Sequence, residues 1–299
     1  MKKVLVTGIS GFLGKHIQLK LEELGWNYEI SNTKTANLID EKNLHIYNDC
    51  RFDYIFHLAT YTKGGDFCLH YAGDQFEINQ QINTNILKYW KHYQPQAKMI
   101  GFGTSFSYTS DYDMSEENYM LGEPSDEQYA YAMVKRMLLV GMKCYAKQYG
   151  LKYLYFIPST MYGEEFHKDD NHFIFDLIKK IHNGYHYGNE VELWGDGYQT
   201  RELVYVKDAV EIIFNTLEYD NEILNIGRGI EYSIRDYATE ICKAYNFDFS
   251  KIVFNVNKYT GSKSKKFNVE KIFTLYPDLN FTPLDVGLNK TINYYRNLK

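Results

Sequence analysis

The chain has 299 residues, 44% of them hydrophobic and 24% charged, with a net charge of −5 and a pI near 6.0. Such a length suits two domains with a sizeable core. The acidic balance gives no general attraction to nucleic acid, and no apolar run approaches the roughly 18 residues of a membrane helix, so neither nucleic acid nor membrane is an expected partner.

In chain order, MKKVLVTG is too short an apolar run for a secretory signal, and folding is expected to begin at the first residue. Val4-Leu5-Val6 reads as a buried strand, and Phe12, Leu13, Ile17, Leu21 and Leu24 recur at helical spacing until Gly25. Further strands are expected at 27–31, 53–59, 97–103 and 151–157, with helices near 75–92 and 129–149 between them. Beyond Pro158 the pattern weakens to a polar stretch at 163–172, a helix near 172–183, a helical segment from Lys207, a helix 234–245 capped by Ser233 and a last helix from about 285. This alternation predicts an α/β protein: a Rossmann-like doubly wound parallel sheet over residues 1–160, rejoined by the chain at about 203–226, and a smaller C-terminal α/β domain over 161–299. Cys50, Cys68, Cys144 and Cys242 have neither CxxC spacing nor disulfide-scaffold density, so reduced thiols, a cytoplasmic setting and no metal are expected.

Three motifs carry chemistry. Gly8-Ile9-Ser10-Gly11-Phe12-Leu13-Gly14 lies between the first strand and the first helix, where glycines let the backbone turn tightly and bring a pyrophosphate to the free N–H groups of the helix. A tight βα turn with no ligand is the alternative. At the end of the second strand a carboxylate would hold a ribose hydroxyl; instead Lys34 stands among hydroxyl and amide groups, which favours the 2′-phosphate of NADP over NAD, with Asn37 and Leu38 flanking the adenine. Finally, in the stretch QYAYAMVKR, Tyr131 and Lys135 are four residues apart and share a helix face, whereas Tyr129 does not. An ammonium beside a phenol is expected to lower its pKa and make it a usable acid and base. Thr104 and Ser105 follow the preceding strand, where a hydroxyl can donate to a carbonyl oxygen in the crevice.

Together with His57-Leu58-Ala59, Asn79 and Trp194-Gly195-Asp196-Gly197-Tyr198-Gln199-Thr200-Arg201-Glu202, these motifs resemble the extended short-chain dehydrogenase/reductases of the NAD-dependent epimerase/dehydratase family that act on nucleotide sugars. The resemblance spans nearly the whole chain. It implies that Tyr131 is the acid/base, that Lys135 holds the nicotinamide ribose, that Thr104 holds the reacting oxygen, and that Leu58, Ala59, Pro158 and Thr160 meet the cofactor. It also implies that Ser105, Asn171, His172, Lys180, Trp194 and Arg201 meet the nucleotide sugar, and that the protein is a homodimer through helices that include 129–149.

Within the family the likeness is to GDP-fucose synthase-like reductases, on Lys63-Gly64-Gly65, Pro158-Ser159-Thr160-Met161-Tyr162-Gly163 and Asn171-His172. The resemblance implies a proton-transferring cysteine two positions after Thr104, but that place holds Phe106, whose ring cannot take a proton from carbon. The expectation is therefore NADPH-dependent reduction of a C-4 keto group on a nucleotide-linked sugar, with GDP as the expected nucleotide, in surface polysaccharide or deoxysugar biosynthesis. The alternatives are a 4-epimerase or bifunctional 3,5-epimerase/4-reductase, with Cys68 as the substitute base, and a non-catalytic nucleotide-sugar or NADP(H) binding or sensing protein.

Overall fold

The computed structural model describes residues 1–63, 67–258 and 263–298; Gly64 and Gly65 of the motif above lie outside the described residues. The chain runs β1 (Lys3–Thr7), α1 (Phe12–Glu23), β2 (Asn27–Ser31), β3 (Tyr54–His57), α2 (Phe67–His70), α3 (Ala72–Tyr93), β4 (Lys98–Phe102), α4 (Tyr129–Tyr149), β5 (Tyr153–Pro158) and β6 (Thr160–Tyr162). It continues through α5 (Phe173–Tyr187), β7 (Val191–Trp194), β8 (Thr200–Arg201), β9 (Leu203–Tyr205), α6 (Val206–Asn215), β10 (Glu222–Ile226), β11 (Tyr232–Ser233), α7 (Ile234–Tyr245), β12 (Ile252–Asn255), α8 (Glu270–Leu275) and α9 (Leu284–Asn297).

Six strands form one sheet in the order β10-β5-β4-β3-β1-β2, every pair parallel. The expected doubly wound sheet is thus present. Its strands are rich in buried Val, Ile, Leu and aromatic residues because helices cover both faces. Ile17 and Leu21 of α1 pack with Ile212 and Ile213 of α6 on one face. Ile86 and Trp90 of α3 pack with Leu138 and Met142 of α4 on the other. A third core joins α5, α7 and α9 through Ile178, Ile241 and Ile292.

Helix ends follow local chemistry. Gly150 and Gly188 take left-handed conformations after α4 and α5, and Ser233 with Asp236 forms a reciprocal capping box on α7. The third strand stops at His57, two residues short of the expected Ala59, because Leu58 and Ala59 bend across the glycine turn. The small pairings β6–β9, β7–β12 and β8–β11 are too short to leave a periodic signal in the sequence.

The order of the strands creates the site. Successive elements from β1 lead to β2 on one side and, from β3 onward, to the other, so a crevice opens at the C-terminal ends of β1 and β3.

Candidate active site

Five strand ends line the crevice in a row: Asn32–Leu38 after β2, Gly8–Leu13 after β1, Leu58–Ala59 after β3, Thr104–Ser105 after β4, and Pro158–Thr160 at β5 and β6. Gly8 has φ of +74°, and a Cβ there would sit 2.6 Å from the Ala59 nitrogen; a Cβ on Gly14 would sit 2.5 Å from the Gly8 carbonyl oxygen. Only glycine fits either position. Gly11 is the N-cap of α1 and has no side chain with which to cap the first N–H groups of that helix. These features fit a pyrophosphate, and the buried Ser159 hydroxyl, unpartnered among the described residues, offers a further polar group beside Pro158 and Thr160. After β2, the Asn32 side chain accepts from the backbone N–H groups of Lys34 and Thr35 and shapes a loop that leaves the Lys34 side chain exposed. Asn37 is half-buried there and Leu38 is buried.

On α4, the Lys135 ammonium lies 5.8 Å from the Tyr131 ring centroid. The expected helix face is formed, while Tyr129 points away and is exposed. The expected lowering of the phenol pKa is corrected: burial pushes Tyr131 up, the neighbouring Tyr119 and Cys68 add to this, and the Thr104 hydroxyl draws it back only in part. Lys135 bears the complementary effect, with burial bringing its ammonium down from 10.5 to about 8. Spacing places two groups on one face but does not disclose how dry that face is, and here desolvation is the largest cause of both shifts. The phenol is therefore protonated at neutral pH. Thr104 accepts from the Phe106 N–H at 3.3 Å, which leaves its own proton for another oxygen.

A cleft beside this face is lined by Ser105, Ser159, Thr160, Arg201, Glu202, Lys265 and Phe267. Glu202 is held by the backbone N–H groups of Arg228, Gly229 and Phe267 and therefore acts as a loop anchor. Lys265, which no motif in the sequence singles out, places its ammonium 4.0 Å from the centroid of the Phe106 ring. Burial, and then the charge of Arg201, bring it down to about 8.

Ser105, Thr160 and Arg201 thus come together in the cleft, whereas Asn171, His172, Lys180 and Trp194 are outside its lining. Asn171 and His172 are exposed at the start of α5, where His172 Nδ1 meets an Asp170 oxygen at 2.5 Å and that contact holds the imidazole above 6.5. Lys180 pairs with Asp176 at 3.0 Å, and Trp194 is 52% exposed beneath Lys258. Cys68 is buried and accepts from Gln75 Nε2 at 3.4 Å. Among the described residues no group of three or more His, Cys, Asp or Glu side chains could hold a metal ion, and no helix is long and apolar enough to cross a membrane.

The model of the NAD dependent epimerase/dehydratase family matches residues 4–227. The chain belongs to this family. Relatives include the GDP-L-fucose synthase of Dictyostelium discoideum, 28% identical with 98% of this chain and 95% of that protein covered, and the GDP-L-colitose synthase of Yersinia pseudotuberculosis, 26% identical with 99% of both covered. Among solved structures, a GDP-L-fucose synthetase from Naegleria fowleri bound to NADP superposes with a TM-score of 0.89 at 23% identity, covering 99% of this chain and 92% of that one. A GDP-6-OMe-4-keto-L-xylo-heptose reductase from C. jejuni superposes with a TM-score of 0.88 at 19% identity, covering 99% and 97%. The family match thus spans the glycine turn, Thr104, the Tyr131/Lys135 pair and Arg201.

Proposed function

We propose that the protein is an NADPH-dependent reductase of the C-4 keto group of a GDP-linked 4-ketosugar, working in the cytoplasm in surface polysaccharide or deoxysugar synthesis. The observation that carries the reading is the Thr104, Tyr131 and Lys135 constellation beside Phe106, a set that can deliver a proton to oxygen and has a phenyl ring where the resemblance places the proton-removing cysteine. NADPH would lie along Gly8, Ser10, Gly11, Phe12 and Leu13, with Lys34, Asn37 and Leu38 at its adenosine end and Leu58, Ala59, Pro158 and Thr160 along its length. When bound it supplies the hydride.

The remaining work belongs to the chain. Thr104 donates a hydrogen bond to the keto oxygen and polarises it. Tyr131, protonated at neutral pH, gives its proton to that oxygen as negative charge develops there, and the Lys135 ammonium stabilises the phenolate left behind. Arg201 suits the diphosphate because its planar fork matches phosphate oxygens. The names of the curated relatives support a GDP-sugar substrate, and the NADP in the Naegleria fowleri structure supports the cofactor. A homodimer through helices that include α4 belongs to the same reading; its sedimentation mass is expected at twice 35.3 kDa.

The test is incubation with NADPH and a panel of 4-keto GDP-, dTDP- and UDP-sugars in heavy water. NADPH consumption equal to product formed, with no deuterium at C-3 or C-5, is the expected outcome. Deuterium at either carbon would show epimerisation despite Phe106, and redox-neutral interconversion of hydroxysugars would replace the reductase by a 4-epimerase.

A further inference from the structure

Two buried chains of hydrogen bonds end on consecutive carbonyls of α4, those of Val134 and Lys135. In the first, the Ala59 N–H donates to Thr7 Oγ1 at 3.1 Å, Thr7 Oγ1 meets His57 Nδ1 at 2.9 Å, His57 Nε2 meets Asn83 Oδ1 at 3.0 Å, and Asn83 Nδ2 donates to the Val134 oxygen at 3.2 Å. The Val134 carbonyl can only accept, so Asn83 turns its amide nitrogen to it and its oxygen to His57 Nε2, which must therefore carry a proton. In the neutral ring that leaves Nδ1 bare, and Nδ1 then accepts from the Thr7 hydroxyl. Burial, which takes His57 down to about 4, agrees with that neutral form.

In the second chain, the Thr104 N–H donates to the Tyr119 oxygen at 3.4 Å, the Tyr119 and Tyr155 hydroxyls meet at 3.3 Å, and Tyr155 donates to the Lys135 oxygen at 2.7 Å. Tyr155 has one proton and spends it on Lys135, so Tyr119 must donate to Tyr155. One chain begins at the turn that faces the glycine cradle, and the other begins at Thr104. Both finish where Lys135 leaves the helix. Ser107 adds a third outside donor, to the Ala132 oxygen at 3.1 Å. A helical carbonyl has a second lone pair beyond its helix bond, and α4 uses that pair at three positions around the catalytic turn.

We propose that Thr7, His57 and Asn83 on one side, and Tyr119 and Tyr155 on the other, are positioning residues that hold the Lys135 segment of α4 in register with the glycine turn and with Thr104. The inference rests on Lys135 belonging to the reductase machinery described above. Its physical content is that the Lys135 ammonium stays in a dry site only because the backbone beneath it is tied from both sides. When a tie is cut the segment relaxes, and the ammonium gains water.

Thr7→Val and Tyr155→Phe each delete one hydroxyl with little change of shape, and thermal melting identifies the temperature range in which each variant is fully folded. In that range the protein is labelled with lysine carrying 13C at Cε, and the Lys135 resonance is assigned as the one missing from Lys135→Met. The expected result is a Lys135 titration midpoint that rises from about 8 by at least about half a pH unit in both variants. With it goes a fall in kcat of about ten-fold while KM for the ketosugar stays within about two-fold. Midpoints unmoved in both variants, with only the melting temperature lowered, would overturn the proposal and make the chains scaffolding of the sheet. Should the wild type reduce no ketosugar while the midpoints still move, the reductase reading falls and the positioning role stands.

Discussion

Lys135 carries an ammonium into a site where, among the described residues, no carboxylate pairs with it, and burial alone accounts for its descent from 10.5 to about 8. The charged form is the one that stabilises a tyrosinate, so kcat/KM for reduction is expected to fall as pH rises through about 8, and Lys135→Met should remove that limb along with most of the activity. Stability moves the other way. Between about 8 and 10.5 the unfolded chain binds the proton that the folded chain has lost, so stability at this group rises with pH across that window. His172 shows the opposite sign, since its contact with Asp170 raises it above 6.5. Asp170→Asn should move the His172 midpoint downward in an NMR titration; a midpoint that stayed put would mean that the contact does not govern this exposed ring. The contribution to stability is small, present below 6.5 and lost as pH rises through the raised value.

At the scale of the element, the glycine turn works by close approach of backbones. A Cβ on Gly14 would lie 2.5 Å from the Gly8 oxygen and 2.6 Å from the Ile9 oxygen, and neither atom is free to swing aside. Gly14→Ala should therefore cost about 1–3 kcal/mol of stability. Because the phosphate-facing backbone must open, NADPH affinity measured by fluorescence titration should fall by about ten-fold or more, for which about 1.4 kcal/mol suffices. Undiminished affinity would place the phosphates elsewhere. This turn was legible in the sequence, as were the Tyr131/Lys135 face and the Ser233 cap, because each is a fixed spacing of chemically distinctive residues. The two positioning chains were not. In a chain with 29 tyrosines, Tyr119 and Tyr155 read as ordinary core, and Asn83 reads as one polar residue among many on α3. The direction of the Tyr131 shift was hidden for a related reason: dryness is a tertiary property that residue spacing does not carry.

For the whole molecule, the decisive feature is that the large sheet is completed by a late piece of chain. β10 supplies an edge beside β5, and α6 covers the face that also packs α1, so residues 206–226 belong structurally to the first half. A fragment ending at residue 160 would expose Leu154 and Phe156 on that face, together with the open edge of β5. It is expected to aggregate or to lack a cooperative melt by circular dichroism; a monomeric fragment with a sharp transition would refute this. Contact between the cores has a specific residue. Phe12, at the mouth of the glycine turn, packs edge-on to Phe175 of α5 with ring centroids 5.6 Å apart, and His16 Nε2 donates to the Glu164 oxygen at 2.9 Å. The helix that would meet the cofactor is therefore also the one that seats α5.

The late return of β10 has a further consequence during synthesis on the ribosome. When residue 160 emerges, β5 has its β4 neighbour but must wait for more than sixty further residues before β10 can pair with it. At about 5–20 residues per second that interval lasts several seconds, during which a five-stranded sheet displays an unpaired strand to the cell. The tail of the nascent chain, rather than its head, decides when the nucleotide-binding half becomes safe from aggregation.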